Sequence, residues 1–327
     1  MNKPITLSRA FADGVAEEMQ RDERIFIIGT DIYERGGHFA QVKGLGAMFG
    51  RERVRDAPIS EAAMVAAGVG AALAGMHPIV DLNFIDFALG AMDEIINQAA
   101  KMRFMSGSPV PLVIRATSGT ALFAAQHNNS FDGFLSQTPG LLVAAPSTPA
   151  DAKGLIKTAL RGEDPVIYLM HKRLAGTRGV VDDDIAPIPF GKALIRRPGT
   201  AISIITYGAC VPKALKAADE LAAAGIEAEV IDLRTLFPLD YDLIEASVRK
   251  TRHALVVTEE PRIGGVAGEV VASLQENVFD SLDAPIARIG GAYTPIPHSP
   301  PLVEQCVPQA VDIARVAAKV VARRRMQ

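Results

Sequence analysis

The sequence predicts an α/β protein made of two doubly wound domains. Extended and helical patterns alternate along nearly all of the 327 residues, as they do in parallel sheets covered by helices on both faces. Between about Lys172 and Pro198 the pattern gives way to charged residues, glycine and proline, which is typical of a linker. We therefore predict a first domain over residues 1–185 and a second over residues 186–327.

The first domain should open with an amphipathic helix and continue with buried strands and further helices. One helix start is marked strongly. Thr148 can cap it, Pro149 suits the first helical position, and Asp151 lies where the positive helix end favours an acid. The predicted helices are Ser8 to Gln20, Ala62 to Gly75, about Phe87 to Met105, and the one that opens at Thr148. The predicted strands are Phe26 to Thr30, Pro78 to Phe84, Pro111 to Thr117, Leu141 to Ser147 and Pro165 to His171.

The second domain repeats this alternation with short β-rich runs separated by helical segments. The predicted strands lie within Ala201 to Gly208, Glu227 to Thr235, His253 to Glu260 and Ala284 to Gly291. The predicted helices are Val211 to Ala224, Tyr241 to Lys250, Val266 to Gln275 and Gln309 to Arg325.

Composition excludes several functional classes. A hydrophobic content of 49% and a net charge of −3 indicate a globular chain, and its basic residues form no stripe that would suit nucleic acid. The longest apolar stretch, Ala62 to Met76, is too short for a membrane span, and the amino terminus lacks the apolar core of a signal peptide. We expect a cytoplasmic protein. Cys210 and Cys306 have no metal-ligand spacing and are interpreted as buried thiols.

The stretch from Pro58 to His127 combines residues that could enclose a heterocyclic cofactor. Glu61 is either a first-turn acid favoured by the helix dipole, or a carboxyl group against alanine-rich walls that takes part in proton transfer. His127 is either a histidine tied to a polar loop or a general acid/base. Phe84 and Phe87 are either core residues or an apolar wall against a planar ring.

The same stretch carries a family resemblance. PISEAAMVAAGVGAALAGMHPIVDLNFIDF, DEIINQAAKMRFMSG, AAQH and EAEVIDLRTLFPLD resemble the beta subunit of the thiamine diphosphate-dependent decarboxylase component of 2-oxoacid dehydrogenase complexes, a relative of transketolase. VDLNFIDF and MHK look most similar to the acetoin dehydrogenase branch. The resemblance implies a thiamine-pyrimidine-binding domain followed by a transketolase C-terminal-like domain, assembled with alpha subunits as a 2α2β heterotetramer.

The resemblance also implies roles for individual residues. The family glutamate that matches Glu61 hydrogen-bonds the aminopyrimidine ring and promotes the tautomer that removes the thiazolium proton. The histidine that matches His127 lies in the active-site channel and assists acyl transfer to lipoamide. Phe87 matches an aromatic residue beside the pyrimidine, and Asn83 and Asp31 fall at positions expected to border the cofactor.

The resemblance assigns the remaining cofactor contacts elsewhere. The alpha subunit normally binds the diphosphate and magnesium through a GDG-containing motif, and no GDG occurs in this sequence. A structural potassium ion is often held by family carbonyl groups. These match Leu112, Ala159, Gly162 and Asp164, with Gly162 replacing an aspartate.

We therefore expect a beta subunit that helps to cleave a small ketone or 2-oxoacid and to pass the acyl unit to a lipoyl group on an acyltransferase core. Acetoin is the leading substrate, with pyruvate and branched-chain 2-oxoacids open. The alternatives are a stand-alone transketolase-like enzyme, disfavoured because no diphosphate domain is present, and a non-catalytic scaffold. Departures from the family pattern at Asn83, Gly90, Asn128 and Ala175 bear on the substrate pocket.

Overall fold

The computed structural model describes residues 3–121 and 123–323, which fall into two compact units. The first comprises Met1–Ser118 and Leu135–Phe190, and the second comprises Gly119–Phe134 and Gly191–Gln327. Lys157 Nζ donates to the carbonyl of Ile185 at 2.9 Å, so the residues around position 185 are tied to the first unit. The domain boundary at 185/186 remains a prediction about independently folding parts.

The elements before residue 190 alternate as the sequence predicts. In chain order they are β1 (Ile5–Thr6), α1 (Leu7–Arg21), β2 (Ile25–Gly29), α2 (Leu45–Phe49), β3 (Val54–Asp56), α3 (Glu61–Leu73), β4 (His77–Phe84), a 3₁₀ segment (Ile85–Ala91), a π-helical segment (Glu94–Ala99), α4 (Ala100–Ser106), β5 (Val113–Ser118), a 3₁₀ turn (Ala125–His127), α5 (Asp132–Ser136), β6 (Leu142–Ala144), α6 (Pro149–Arg161), β7 (Val166–His171), a 3₁₀ turn (Lys172–Leu174) and β8 (Arg178–Gly179).

Six strands of the first unit pair in parallel in the order β6-β7-β5-β4-β2-β3, which confirms the doubly wound prediction. Helices on both faces bury the strands, so their residues are apolar almost without alternation. Gly68 shows how closely α3 approaches this sheet, because a Cβ there would lie 2.6 Å from Val80 Cγ2. The alanine- and glycine-rich sequence of α3 thus sets its distance from the sheet.

The predicted start of α6 is confirmed in detail. Thr148 Oγ1 accepts a hydrogen bond from the backbone N–H of Asp151 at 3.2 Å, and Pro149 occupies the first turn. On the neighbouring α1, the buried Glu18 carboxylate accepts hydrogen bonds from Arg161 at the end of α6. The two helices are therefore held by an ion pair as well as by apolar packing.

The long helix predicted from about Phe87 to Met105 is helical along its whole length, but it is not one uniform α-helix. The chain winds through the 3₁₀ segment, the π-helical segment and α4. In a 3₁₀ helix residues three apart share a face, and Ile85, Ala88 and Ala91 are the fully buried residues there. Burial at a spacing of three, rather than 3.6, explains why an α-helical pattern did not apply.

The second unit contains a five-stranded sheet. From residue 191 onward, the elements of this unit are β9 (Leu194–Arg197), β10 (Ile202–Thr206), α7 (Cys210–Ala223), β11 (Ala228–Asp232), β12 (Thr235–Phe237), α8 (Tyr241–Thr251), β13 (Ala254–Pro261), α9 (Val266–Val278), a 3₁₀ turn (Phe279–Ser281), β14 (Ala287–Gly291), α10 (Pro300–Cys306) and α11 (Ala310–Val321). The strand order of the five-stranded sheet is β14-β13-β10-β11-β9, and its strands are parallel except for β9.

Two sequence predictions in this unit need correction. The presumed linker contains β9, which pairs antiparallel with β11 and is anchored by Arg196 to the buried Asp232 at 2.8 Å. Charged residues in that strand looked like linker composition because β9 lies at a sheet edge. The last helix ends at Val321 rather than Arg325, and the final arginines of the prediction, Arg324 and Arg325, lie outside the described residues.

The two cysteines occupy different environments. Cys210 is buried in α7, as predicted, whereas Cys306 at the end of α10 is only partly buried. In the part of the chain that the structure describes, no helix is both long and apolar enough to cross a membrane. The cytoplasmic location remains a prediction.

Candidate functional site

Three predicted site residues lie at or after the carboxyl ends of neighbouring strands. Asp31 follows β2, Glu61 follows β3 after a short loop, and Asn83 lies near the end of β4. These strands are adjacent and parallel, in the order β3-β2-β4. Carboxyl ends of adjacent parallel strands meet at one edge of a sheet, which is where α/β proteins bind ligands. The topology therefore brings these positions to one edge.

Glu61 is the first residue of α3 and is partly exposed at this edge. Neither a hydrogen bond nor an ion pair engages its carboxylate among residues 3–121 and 123–323. Ser60, the residue at the N-cap, makes no side-chain capping bond. The Glu61 carboxylate is thus held in place by the helix start, while its oxygens remain available to a ligand.

Asn83 adopts a left-handed backbone conformation, with φ of 59°. Its backbone N–H donates to Asp81 Oδ1 at 2.8 Å, and the pairing of β4 with β5 shifts register between Asp81 and Phe84. This irregularity turns the strand end. The side-chain Oδ1 of Asn83 is buried and has no hydrogen-bond partner in the described chain. A buried acceptor without a partner is uncommon in proteins and indicates a place for a donor from a ligand.

A buried ion pair that sequence reasoning missed supports this strand end. Arg115 and Asp81 are both almost fully buried, and Arg115 Nη1 lies 3.1 Å from Asp81 Oδ1. Gln41 Nε2 also donates to Asp81, at 2.9 Å, and so attaches the loop after β2. A buried arginine in an apolar strand is the only signal in the sequence that could have revealed it.

Aromatic rings form a continuous cluster beside Asn83. Phe84 packs edge-on against Phe87 at 5.8 Å, against Phe39 at 5.7 Å and against His38 at 5.4 Å. Phe84 is buried, as its core interpretation predicts, whereas Phe87 is 37% exposed and can present its ring to a planar ligand. Sequence reasoning did not single out the exposed imidazole of His38. The two glycines that precede it in the sequence could have indicated a tight loop there, and in the structure both have positive φ angles.

Asp31 is exposed and left-handed, with φ of 56°. Its nearest charged partner is Arg35, at 3.5 Å between two exposed side chains. The turn that it begins is fixed by Asp56 Oδ1, which accepts backbone hydrogen bonds from Ile32 at 2.7 Å and from Tyr33 at 3.0 Å. Asp31 therefore lies at the same sheet edge as Glu61 and Asn83, in a turn that these hydrogen bonds define.

His127 belongs to the segment Gly119–Phe134 of the second unit, where it ends a short 3₁₀ turn. The segment is organised from within by Asn128, which is buried. Asn128 Oδ1 accepts from the N–H of Ala121 at 2.9 Å, and its Nδ2 donates to the carbonyl of Phe123 at 2.5 Å. The departure from the family pattern at Asn128 thus supplies hydrogen bonds that define the loop carrying His127.

Two acids on β13 hold this segment at both of its ends. Glu259 Oε1 accepts from the backbone N–H of Thr120 at 2.6 Å, and Glu260 Oε2 accepts from that of Gly133 at 3.0 Å. Glu260 Oε1 also accepts from Val266 at 2.5 Å. Burial raises the pKa of Glu260, an effect that these backbone hydrogen bonds oppose. We call Glu259 and Glu260 the loop clamp.

The residues that the resemblance assigns to potassium offer oxygen atoms, which are the kind of ligand that this cation needs. Ala159 and Gly162 flank the end of α6, where the negative end of the helix dipole favours a cation, and carbonyl oxygens are suitable ligands. The carbonyl of Leu112 already accepts from Val166 at 2.8 Å, and the Asp164 carboxylate is paired with Arg103 at 2.7 Å. No cluster of three histidine, cysteine or acidic residues suited to a metal occurs among the described residues.

Family models match both halves of the chain. Residues 3–177 match the pyrimidine-binding domain of transketolase, and residues 191–313 match the transketolase C-terminal domain. Among solved structures, a split-gene transketolase described as an inactive beta4 tetramer superposes with a TM-score of 0.83 at 24% identity, covering 99% of this chain and 100% of that one. This likeness confirms the fold.

Curated relatives specify the family further. The 2-oxoisovalerate dehydrogenase subunit beta of Bacillus subtilis is 44% identical over 87% of this chain and 88% of that protein. The beta subunit of acetoin:2,6-dichlorophenolindophenol oxidoreductase from Cupriavidus necator is 42% identical over 98% of both chains. The pyruvate dehydrogenase E1 component subunit beta of Rickettsia bellii is 40% identical over 97% of this chain and 98% of that protein. The chain therefore belongs to the family of E1 beta subunits of 2-oxoacid and acetoin dehydrogenase complexes.

Proposed function

We propose that this chain forms the pyrimidine-side half of a thiamine diphosphate site and acts with an alpha subunit in a 2α2β enzyme. The observation that carries the proposal is the sheet edge after β3, β2 and β4. There, Glu61 has an unengaged carboxylate, Asn83 has a buried acceptor without a partner, and Phe87 has a half-exposed ring. An acid, an acceptor and an apolar wall match a flat heterocycle that carries an amino group.

Thiamine diphosphate, when bound, supplies the electron sink that lets a carbon–carbon bond beside a carbonyl group break. Glu61 would hold or accept a proton at a ring nitrogen, as its position at the helix start leaves both carboxylate oxygens accessible. Asn83 Oδ1 would accept a hydrogen bond from an amino group, and Phe87 would exclude water from one face of the ring. Asp31 borders the same edge. The buried pair Arg115–Asp81 keeps Asn83 in its left-handed conformation.

His127 is the second group for which we propose a chemical role. A neutral imidazole can accept a proton and an imidazolium can donate one near neutral pH. This suits transfer of an acyl unit to the disulfide of an oxidised lipoyl group on an acyltransferase core, in which one sulfur would take the acyl unit and the other would leave as a thiolate that takes a proton. The hydrogen bonds of this segment support the proposal, because Asn128 and the loop clamp fix the backbone around His127. A loop held at several points can present an imidazole reproducibly.

The proposed substrate is a small ketone or 2-oxoacid, with acetoin preferred. Similarity to the Cupriavidus necator acetoin protein extends over 98% of both chains, and the segment VDLNFIDF supports that branch. We further propose that magnesium is bound on the alpha subunit, and that carbonyls near the end of α6 bind potassium.

Reconstitution tests this function. The chain should be co-purified with a candidate alpha subunit that carries a GDG-containing motif and assayed on acetoin, pyruvate and branched-chain 2-oxoacids. We expect turnover that depends on thiamine diphosphate and is highest on acetoin. A complex that assembles and binds the cofactor, yet turns over none of these substrates, would favour the scaffold alternative. Turnover by the chain without any partner would favour a stand-alone enzyme.

A further inference from the structure

We propose that a cavity at the start of α1 binds a short-chain carboxylate, independently of the site described above. The cavity has a volume of about 570 Å³ and lies wholly within the first unit. It is bordered by the first turns of α1, by the loop at residues 39–44 and by Ala175 and Gly176. Small-molecule sites commonly have volumes of about 300–1,000 Å³, so the space suits a small ligand.

An unsatisfied hydroxyl group points to a ligand in this cavity. Ser8 contributes to the wall and is only 6% exposed. Its Oγ has no hydrogen-bond partner anywhere in residues 3–121 and 123–323. Leaving a buried polar group unpaired is unfavourable. A ligand oxygen would remove this deficit, because the Ser8 hydroxyl could donate to it.

The charge around the cavity selects an anion. Lys43 lines the cavity, and its ammonium group makes neither an ion pair nor a hydrogen bond within the described chain. Arg9 also lines it but is paired with Asp13 at 2.8 Å. The positive end of the α1 dipole adds to the Lys43 charge. No acid is found among the described residues of the wall.

The arrangement favours a carboxylate over a phosphate. The N–H groups at the helix start are already used: Leu7 donates to Thr177, Ser8 to Ala175, and Arg9 to Thr6 Oγ1. No ring of free amides therefore remains to surround a phosphate. One uncompensated cation and one hydroxyl donor match a singly charged group with two oxygens.

The rest of the wall predicts what the carboxylate is attached to. Ala12, Phe39, Ala40 and Ala175 present apolar surface. A carbon chain of a few atoms would be buried against them with a favourable transfer free energy. Ala175 has a short side chain, so it leaves space in this wall that a larger side chain would occupy.

Binding can be measured on the full chain by ligand-observed NMR titration with butyrate. We expect saturable binding with a Kd of about 1–10 mM, and binding at least about tenfold weaker for butyramide and for inorganic phosphate. Lys43→Met and Ser8→Ala should each weaken butyrate binding about tenfold. Ala175→Phe should abolish it by filling the cavity.

Lys216→Met, which removes an exposed lysine from α7 in the second unit, should leave the affinity unchanged. Lys43 is exposed, so its variant should fold even if Ser8→Ala or Ala175→Phe does not. Absence of saturable binding, or equal affinity in wild type and Lys43→Met, would overturn the proposal. Equal affinity for phosphate would overturn the assignment to carboxylates. None of these outcomes depends on thiamine diphosphate or on an alpha subunit.

Discussion

At the scale of single residues, the unengaged carboxylate of Glu61 is the feature on which the proposed chemistry depends most. Glu61→Gln keeps the size and the helix position but cannot exchange a proton. In the reconstituted enzyme we expect exchange of the cofactor's thiazolium proton to slow by about 10²- to 10⁴-fold, the usual contribution of a general acid/base. NMR-detected exchange into D₂O measures it.

Glu52→Gln is a matched control, because Glu52 is an exposed glutamate just before β3. It should exchange at the wild-type rate. A Glu61→Gln enzyme that does the same would make Glu61 a first-turn acid serving only the helix dipole.

His127→Ala should separate two halves of the reaction. We expect a severe loss, of about 10²-fold or more, with the lipoyl acceptor, because the alanine methyl group cannot donate or accept a proton. With an artificial electron acceptor, which bypasses lipoamide, much of the rate should remain. Parallel assays with the two acceptors measure the difference.

Gln126→Ala changes an exposed neighbour on the same 3₁₀ turn and should affect neither assay. Equal losses with both acceptors in His127→Ala would assign the imidazole to substrate or cofactor binding. No loss in either assay would make His127 a structural loop residue.

Arg115→Met should destabilise the first unit by about 3–5 kcal/mol, because it leaves Asp81 buried without its cation. Urea unfolding followed by circular dichroism gives the free energy. Arg103→Met breaks an exposed pair with Asp164 and should change stability little, since exposed ion pairs contribute little. Similar stability of the two variants would mean that the Asp81 network does not support the strand end.

At the scale of elements, the loop clamp on β13 makes the stability of the fold depend on pH. Burial raises the pKa of Glu260 above its ordinary value of 4.5. Between the unfolded and the folded pKa, the folded chain therefore keeps a proton on Glu260 that the unfolded chain releases. The resulting stability is fully present below the unfolded pKa and is lost as pH rises through the folded pKa. Glu260→Gln stays neutral and should lack this loss.

Urea midpoints recorded from about pH 4 to pH 8 should therefore fall with pH in the wild type and less steeply in Glu260→Gln. Hydrogen exchange should show the consequence for the segment Gly119–Phe134, which the clamp holds at both ends. Identical pH profiles for the two proteins would contradict the assignment of this slope to Glu260.

The elements also show which parts of the fold the sequence could predict. Strands buried on both faces, such as β7, are nearly continuous apolar runs, and the start of α6 has a complete capping pattern. These were predicted to within a few residues. The 3₁₀ and π windings after β4 were not, because their burial follows spacings other than 3.6. The strand β9 was missed because edge strands carry charged residues.

At the scale of the whole molecule, the groups that support the candidate residues within each unit come from positions distant in sequence. The candidate residues themselves, Glu61, Phe87 and His127, are proposed from resemblance and from residue chemistry. The supporting groups are not: Asp81, Arg115 and the loop clamp act through contacts between residues 34 to 139 positions apart. Such pairings depend on strand order, which a single sequence does not encode locally. The sequence therefore allows candidate residues to be proposed, whereas the contacts that hold them become visible only in the structure.

The proposed function requires that this chain carry only part of a cofactor site. Calorimetric titration with thiamine diphosphate in the presence of magnesium measures this, first on the chain alone and then on its complex with the alpha subunit. We expect weak or undetectable binding to the chain alone and tight binding to the complex, because the contacts to the charged diphosphate should lie on the partner. Tight magnesium-dependent binding to the chain alone would refute the divided site.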